Sequence, residues 1–116
     1  MFNFHYEKVG TKQDIVTVVL SGVLDDNNCT YLLGCVEEEI LDGRKKLILD
    51  CGQVTFISSM GLGTLVRVNS RMQKIGGDVK LAAVHGAVAQ VIRVVGLNRM
   101  FQIYPSVADA IAAHGG

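Results

Sequence analysis

The chain has no tryptophan, one proline (Pro105) and three cysteines. Cys29, Cys35 and Cys51 are odd in number and show no Cys-x-x-Cys spacing, so no disulfide framework and no zinc site is indicated. Each lies in an apolar pattern and reads as a small buried hydrophobe. His5, His85 and His114 are scattered and make no ligand pair at helical spacing, so no metal is expected. An excess of either charge is also missing: 11 basic residues balance 11 acidic ones. A nucleic-acid surface normally needs a basic patch, and a membrane surface a polybasic segment, so neither partner is expected. No apolar run approaches the roughly 20 residues of a membrane-spanning helix. Met1-Phe2-Asn3-Phe4-His5 lacks the basic and apolar segments of a signal peptide, which points to a cytoplasmic protein.

Apolar residues are abundant, at 49% of the chain. A length of 116 residues suits a single domain spanning residues 1–116 around one core. Phe2, Phe4 and Tyr6 alternate with Asn3, His5 and Glu7, as in a half-buried strand. A polar turn, Gly10-Thr11-Lys12-Gln13-Asp14, joins it to the β-branched run Ile15 to Leu20, which predicts a hairpin. Ser21-Gly22 is expected to break that strand. Asp25, Asp26, Asn27 and Asn28 then offer several helix caps before Cys29, Leu32, Leu33, Val36 and Ile40, which recur at helical spacing. Glu37, Glu38 and Glu39 read as a solvated face rather than a metal site, and Gly43 is expected to end the helix. Leu47-Ile48-Leu49 forms a third strand. A second helix carries Leu65, Val68, Met72 and Ile75 on one face, widened by Leu62 and Val66, and stops at Gly76-Gly77. Val79 to Val84 is a fourth strand. A third helix places Val88, Val91, Ile92 and Val95 together and ends at Gly96-Leu97. Phe101, Ile103 and Tyr104 make a short last strand, and Ser106 and Asp109 open a final helix anchored by Ile111. Gly115-Gly116 is expected to fray. Alternating strands and helices imply parallel pairing through crossovers. The fold class is therefore α/β: a small mixed sheet of about five strands, mostly parallel with an N-terminal antiparallel hairpin, packed with about four helices.

Chemistry concentrates in Asp50-Cys51-Gly52-Gln53-Val54-Thr55-Phe56-Ile57-Ser58-Ser59-Met60-Gly61-Leu62-Gly63. It reads as a strand end, a short turn and a helix start with two hydroxyls. Unpaired N–H groups and partial positive charge collect at such a start. A serine there has two uses: to cap the helix, or to carry a phosphate that the helix end stabilises. Enzyme signatures are missing. Val66 stands where a dinucleotide fingerprint needs its third glycine, no phosphate-binding Gly-Lys-Ser/Thr follows, and no serine lies in Gly-x-Ser-x-Gly. Arg67 and Arg71 share another face of the helix, toward solvent or a partner.

The run Ile57-Ser58-Ser59-Met60-Gly61-Leu62-Gly63 resembles the signature of the STAS domain family, as in anti-sigma factor antagonists. Gly22-Val23-Leu24-Asp25, Leu47-Ile48-Leu49-Asp50, Gly76-Gly77 and Val95-Gly96-Leu97 resemble further family segments in the same order. The resemblance implies the same mixed sheet with helices packed on it. It implies phosphorylation of Ser59, with Ser58 the lesser candidate, and a bulky Met60 where a small residue is common. It implies that the loops at Asp25 and Asp50, expected to converge near Ser59, surround the site together with Ser58, Met60, Gly61, Leu62, Gly63 and Arg67. The implied partners are an anti-sigma factor with serine kinase activity and a phosphatase. ATP would belong to the kinase, so no cofactor is expected here. The alternative is a STAS subunit that is never phosphorylated and scaffolds a membrane transporter or another signalling complex. Monomer and weak dimer both remain open.

Overall fold

The computed structural model describes residues 5–12 and 15–114, with side-chain environments for residues 15–114. The elements are β1 (His5–Lys12), β2 (Ile15–Leu24), α1 (Cys29–Leu41), β3 (Lys46–Ile57), α2 (Ser59–Lys74), β4 (Asp78–Ala82), α3 (Gly86–Val94), a 3-10 turn (Leu97–Arg99), β5 (Gln102–Tyr104) and α4 (Val107–Ala113). The five strands lie in the order β1-β2-β3-β4-β5. β1 pairs antiparallel with β2, and every later pair is parallel. The mixed α/β sheet expected from the sequence is therefore present. Phe2, Phe4, Gln13, Asp14 and the Gly115-Gly116 end lie outside the described residues.

Both faces of the sheet are covered, and the strands alternate accordingly. Val16, Val18, Leu20, Leu47, Leu49 and Leu81 point into the main core with α1 and α2. Ile15, Ile48 and Ala82 point the other way, against Ala110 and Ile111 of α4. Leu47-Ile48-Leu49 is thus an unbroken apolar run because successive side chains each meet a covered face. Stepwise strand order with crossovers of one hand puts α1 and α2 on the same face. There Arg71 of α2 grips Glu37 of α1 with two bonds, of 2.7 and 3.0 Å. α1 ends as its glycine predicts: Gly43 has φ +84°, its N–H bonds Ile40 O at 3.0 Å, and Arg44 N bonds Glu39 O at 2.9 Å.

Three expected boundaries need correction. The turn expected from Gly10 starts later, because Gly10, Thr11 and Lys12 belong to β1, which shifts register between Val9 and Thr11. Ser21-Gly22 does not end β2, and Asp50 does not end β3. The two strands continue side by side, pairing Ser21 with Gln53, Gly22 with Val54, Val23 with Phe56 and Leu24 with Ile57. Register shifts between Val19 and Ser21 and between Gly22 and Val23 absorb the irregular residues as bulges. β4 pairs with β3 only as far as Asp50, so β2 and β3 run on together past β4 as a ribbon, which β1 reaches through the pair His5 and Ser21. It carries the start of α2 with it.

At the opposite end of β3, His114 is buried, and its Nε2 donates to Leu47 O at 3.3 Å. Burial is the largest influence and lowers the His114 pKa below its ordinary 6.5; nearby Lys80 and Lys46 push the same way, against the Leu47 bond and Asp78. The fold therefore favours neutral imidazole. Stability from this site is full above the unfolded value and falls as pH drops below 6.5. Urea titrations between pH 7.5 and 5 should show a declining midpoint, and His114→Gln should flatten that decline. An unchanged slope in the variant would place the acid sensitivity elsewhere.

Candidate functional site

The ribbon ends in one backbone bond: Ser58 N–H donates to Leu24 O at 2.9 Å. Ser58 is the N-cap of α2, with φ −85° and ψ 171°. Its Oγ accepts the Gly61 N–H at 3.0 Å and donates to Asp26 Oδ1 at 3.3 Å. Ser59 is the first helical residue and is exposed, and its hydroxyl has no hydrogen bond among the described residues. The two serines thus divide the two uses that a helix start allows. α2 runs for 16 residues with no acidic side chain in its first turn, so its positive end is not neutralised from within.

Gly61 is required by close packing. A Cβ built there would lie 2.5 Å from Leu24 O and 2.8 Å from Ile57 Cγ1. Gly63, half a turn on, is exposed and has nothing within 4 Å of such an atom. Leu62 is half-buried against the main core. Met60 is 55% exposed, and Phe56, just before the serines, is exposed to the same degree, so apolar side chains flank Ser59 in sequence on both sides.

The β2–α1 loop frames the other side. Asp25 Oδ1 accepts the Asn27 N–H at 3.0 Å, and Asp25 N donates to Asn28 Oδ1 at 2.9 Å. Asn28 is buried, and its amide donates to Val23 O. These bonds hold the loop so that the exposed Asp26, rather than Asp25, reaches the serine pair. Between α1 and α2 lies a groove of about 230 Å³, with Asp26, Thr30, Met60, Thr64 and Arg67 among its lining residues. Arg67 stays exposed along it, whereas Arg71 is turned to Glu37.

The expected convergence of Asp25 and Asp50 at Ser59 is corrected for Asp50. That residue sits mid-strand, paired with Val19 and Ala82, and its Oδ1 accepts the Gly52 N–H at 3.0 Å. Ile57 lies seven positions further along the strand, a span of about 23 Å. Asp26 and Asn28 do the framing instead. The sequence offered them only as members of an Asp-Asp-Asn-Asn run of possible caps, with nothing to rank them.

Burial, with the Asp50 charge adding to it, raises the Cys51 thiol pKa to about 12, so it stays protonated and unreactive at neutral pH. Among the described residues no group of three or more His, Cys, Asp or Glu is placed to hold a metal ion. No helix there is long and apolar enough to cross a membrane.

A ribbon that carries a serine-capped helix start, on a mixed sheet with α1 and α2 on one face, is the architecture of a STAS domain. The STAS domain model matches residues 6–110, and the chain belongs to that family. Relatives include anti-sigma-F factor antagonist RsfB of Mycobacterium tuberculosis, 26% identical over 110 residues, covering 93% of this chain and 88% of that protein. BtrV of Bordetella bronchiseptica, described as a candidate anti-sigma factor antagonist, is 27% identical over 94 residues, 81% of each chain. The crystal structure of a candidate anti-sigma factor antagonist from Thermotoga maritima superimposes with a TM-score of 0.83 at 25% identity, covering 95% of this chain and 92% of that one.

The two glycines should respond oppositely to the same change. Gly61→Ala forces a methyl group onto backbone and should cost about 2 kcal/mol or more. Gly63→Ala, in open space within a helix, should stabilise by about 0.5–1 kcal/mol. Chemical denaturation of the two variants checks both signs, and equal effects would contradict the packing described.

Proposed function

We propose that residues 1–116 form one STAS domain acting in the cytoplasm as an anti-sigma factor antagonist, switched by phosphorylation of Ser59. The observation that carries this reading is the exposed Ser59 hydroxyl on the first residue of α2, which makes no hydrogen bond among the described residues. The relatives' names support the class of partner. That partner is an anti-sigma factor with serine kinase activity; it supplies the nucleotide, and a phosphatase resets the switch. This chain is the substrate and performs no catalysis of its own.

The switch works by electrostatics. Unmodified, the site offers a partner a small polar group beside the exposed apolar Met60 and the groove between α1 and α2. Phosphorylation adds about −1.5 to −2 charges at neutral pH. The positive end of α2 tolerates them, so the domain stays folded. A partner packed over Met60 and the adjoining groove would have to bury that charge unpaired, which costs several kcal/mol. Each 1.4 kcal/mol is about a tenfold loss of affinity. Asp26, bonded to the adjacent Ser58, adds its own negative charge to the surface a partner would cover.

Incubation with the anti-sigma factor and ATP, followed by mass spectrometry, should place the phosphate on Ser59. Ser59→Asp should weaken partner binding at least about tenfold while leaving the circular dichroism spectrum native. Ser59→Ala should change stability by no more than about 0.5 kcal/mol, whereas Ser58→Ala should cost about 1 kcal/mol through loss of the cap. Phosphate elsewhere, or a partner indifferent to Ser59→Asp, would overturn the reading; indifference is what an unphosphorylated scaffold would show.

A further inference from the structure

Two adjacent hydroxyls stand at the start of α2, and one of them must be chosen. We propose that Asp26 is a positioning residue that reserves Ser58 for the helix cap and so confines phosphorylation to Ser59. The proposal rests on the reading above that this site is phosphorylated.

Both ends of the Ser58 hydroxyl are engaged. Its proton points to Asp26 Oδ1 at 3.3 Å, and its oxygen accepts the Gly61 N–H at 3.0 Å. The residue is half-buried between the end of β3 and the β2–α1 loop. Asp26 comes from a different loop, and Ser58 is the only bonded partner of its side chain among the described residues. Ser59 has neither constraint: it is exposed, and its hydroxyl makes no hydrogen bond among those residues.

The transfer itself favours the unconstrained group. A serine Oγ attacks the γ-phosphorus of a nucleoside triphosphate held by the kinase. The new O–P bond forms as the bond to the departing nucleoside diphosphate breaks, and the hydroxyl proton passes to a base on the kinase. Attack by Ser58 requires turning its oxygen away from both Gly61 and Asp26. Its product would leave a phosphate dianion at hydrogen-bonding distance from a carboxylate, and an ester oxygen in place of the cap. Attack by Ser59 breaks no hydrogen bond and leaves the Ser58 cap in place. Asp26 therefore acts against Ser58 twice, by fixing its hydroxyl and by repelling the product.

The test compares wild type, Asp26→Ala and Asp26→Asn after incubation with the kinase and ATP, with the two serines resolved by fragmentation mass spectrometry. Asn keeps an oxygen that accepts the Ser58 proton, whereas Ala does not. Wild type should carry phosphate on Ser59. Asp26→Asn, which keeps the acceptor but loses the repelling charge, should raise the Ser58 share less than Asp26→Ala, which loses both and should raise it by about five- to tenfold or more. A second measurement needs no kinase. Phosphoserine is incorporated during translation at position 58 or at position 59, and thermal unfolding is followed. The protein modified at 58 should melt lower, by about 5 °C or more, and Asp26→Ala should narrow the gap. Equal site ratios in all three chains, phosphate on Ser58 in wild type, or equal melting of the two phosphoserine proteins would each overturn the role of Asp26. A wild-type chain that takes no phosphate overturns the proposed function instead, and the melting comparison still decides the role of Asp26.

Discussion

The bond from Ser58 N–H to Leu24 O, 2.9 Å long, ties the ends of two parallel strands together at the point where α2 begins. Much of the site follows from it. With Leu24 O drawn to the helix start, only a glycine fits at position 61, because any Cβ would meet that same oxygen at 2.5 Å. With Gly61 so placed, its N–H falls 3.0 Å from Ser58 Oγ, and the cap closes. The chain leaving Leu24 turns immediately into the Asp25–Asn28 loop, which brings Asp26 to the same hydroxyl. Strand pairing, close packing and capping thus converge on one turn of backbone. Ser59, the next residue, is placed by this backbone, and its hydroxyl makes no hydrogen bond among the described residues.

The proposed switch rests on a division between a supporting serine and an unused one. Ser58 carries the structural duty and is half-buried; Ser59 carries none among the described residues and is exposed. A charge added to a group on which nothing else depends leaves the fold intact, and a helix N-terminus is among the few places where backbone dipoles favour an anion. The same charge is costly to any apolar surface laid over Met60. On the proposed function, affinity for a partner changes while the domain's own conformation does not.

Much of the fold was legible in the sequence because each signal had one physical cause. Leu47-Ile48-Leu49 is apolar throughout since both sheet faces are covered. Gly43 and Ser106 mark helix ends because the backbone there needs a left-handed residue and an oxygen acceptor: Gly43 has φ +84°, and Ser106 Oγ accepts the Asp109 N–H at 3.2 Å. The ribbon was not legible. Ser21, Gly22, Asp50 and Gly52 are turn-forming residues by habit, and pairing with neighbouring strands, bulged in register, holds them extended. Asp50 was misplaced for the same reason, since a strand expected to stop there would have put it near the serines. Asp26 was hidden among four neighbouring cap formers, and its bond crosses 32 positions of sequence. Local patterns report what a residue does to its own backbone; they do not report which distant loop it will meet.

The central claim is that a phosphate on Ser59 alters the surface and leaves the interior alone. Amide NMR spectra of the domain with and without phosphate on that serine test it most directly. The account predicts shift changes confined to residues 24–30 and 57–64, with amides of Leu47, Ile48, Leu49 and Leu81 unmoved. Changes spreading through β3 and β4, or loss of dispersed signals, would mean that the switch acts by deforming the fold, and would contradict it.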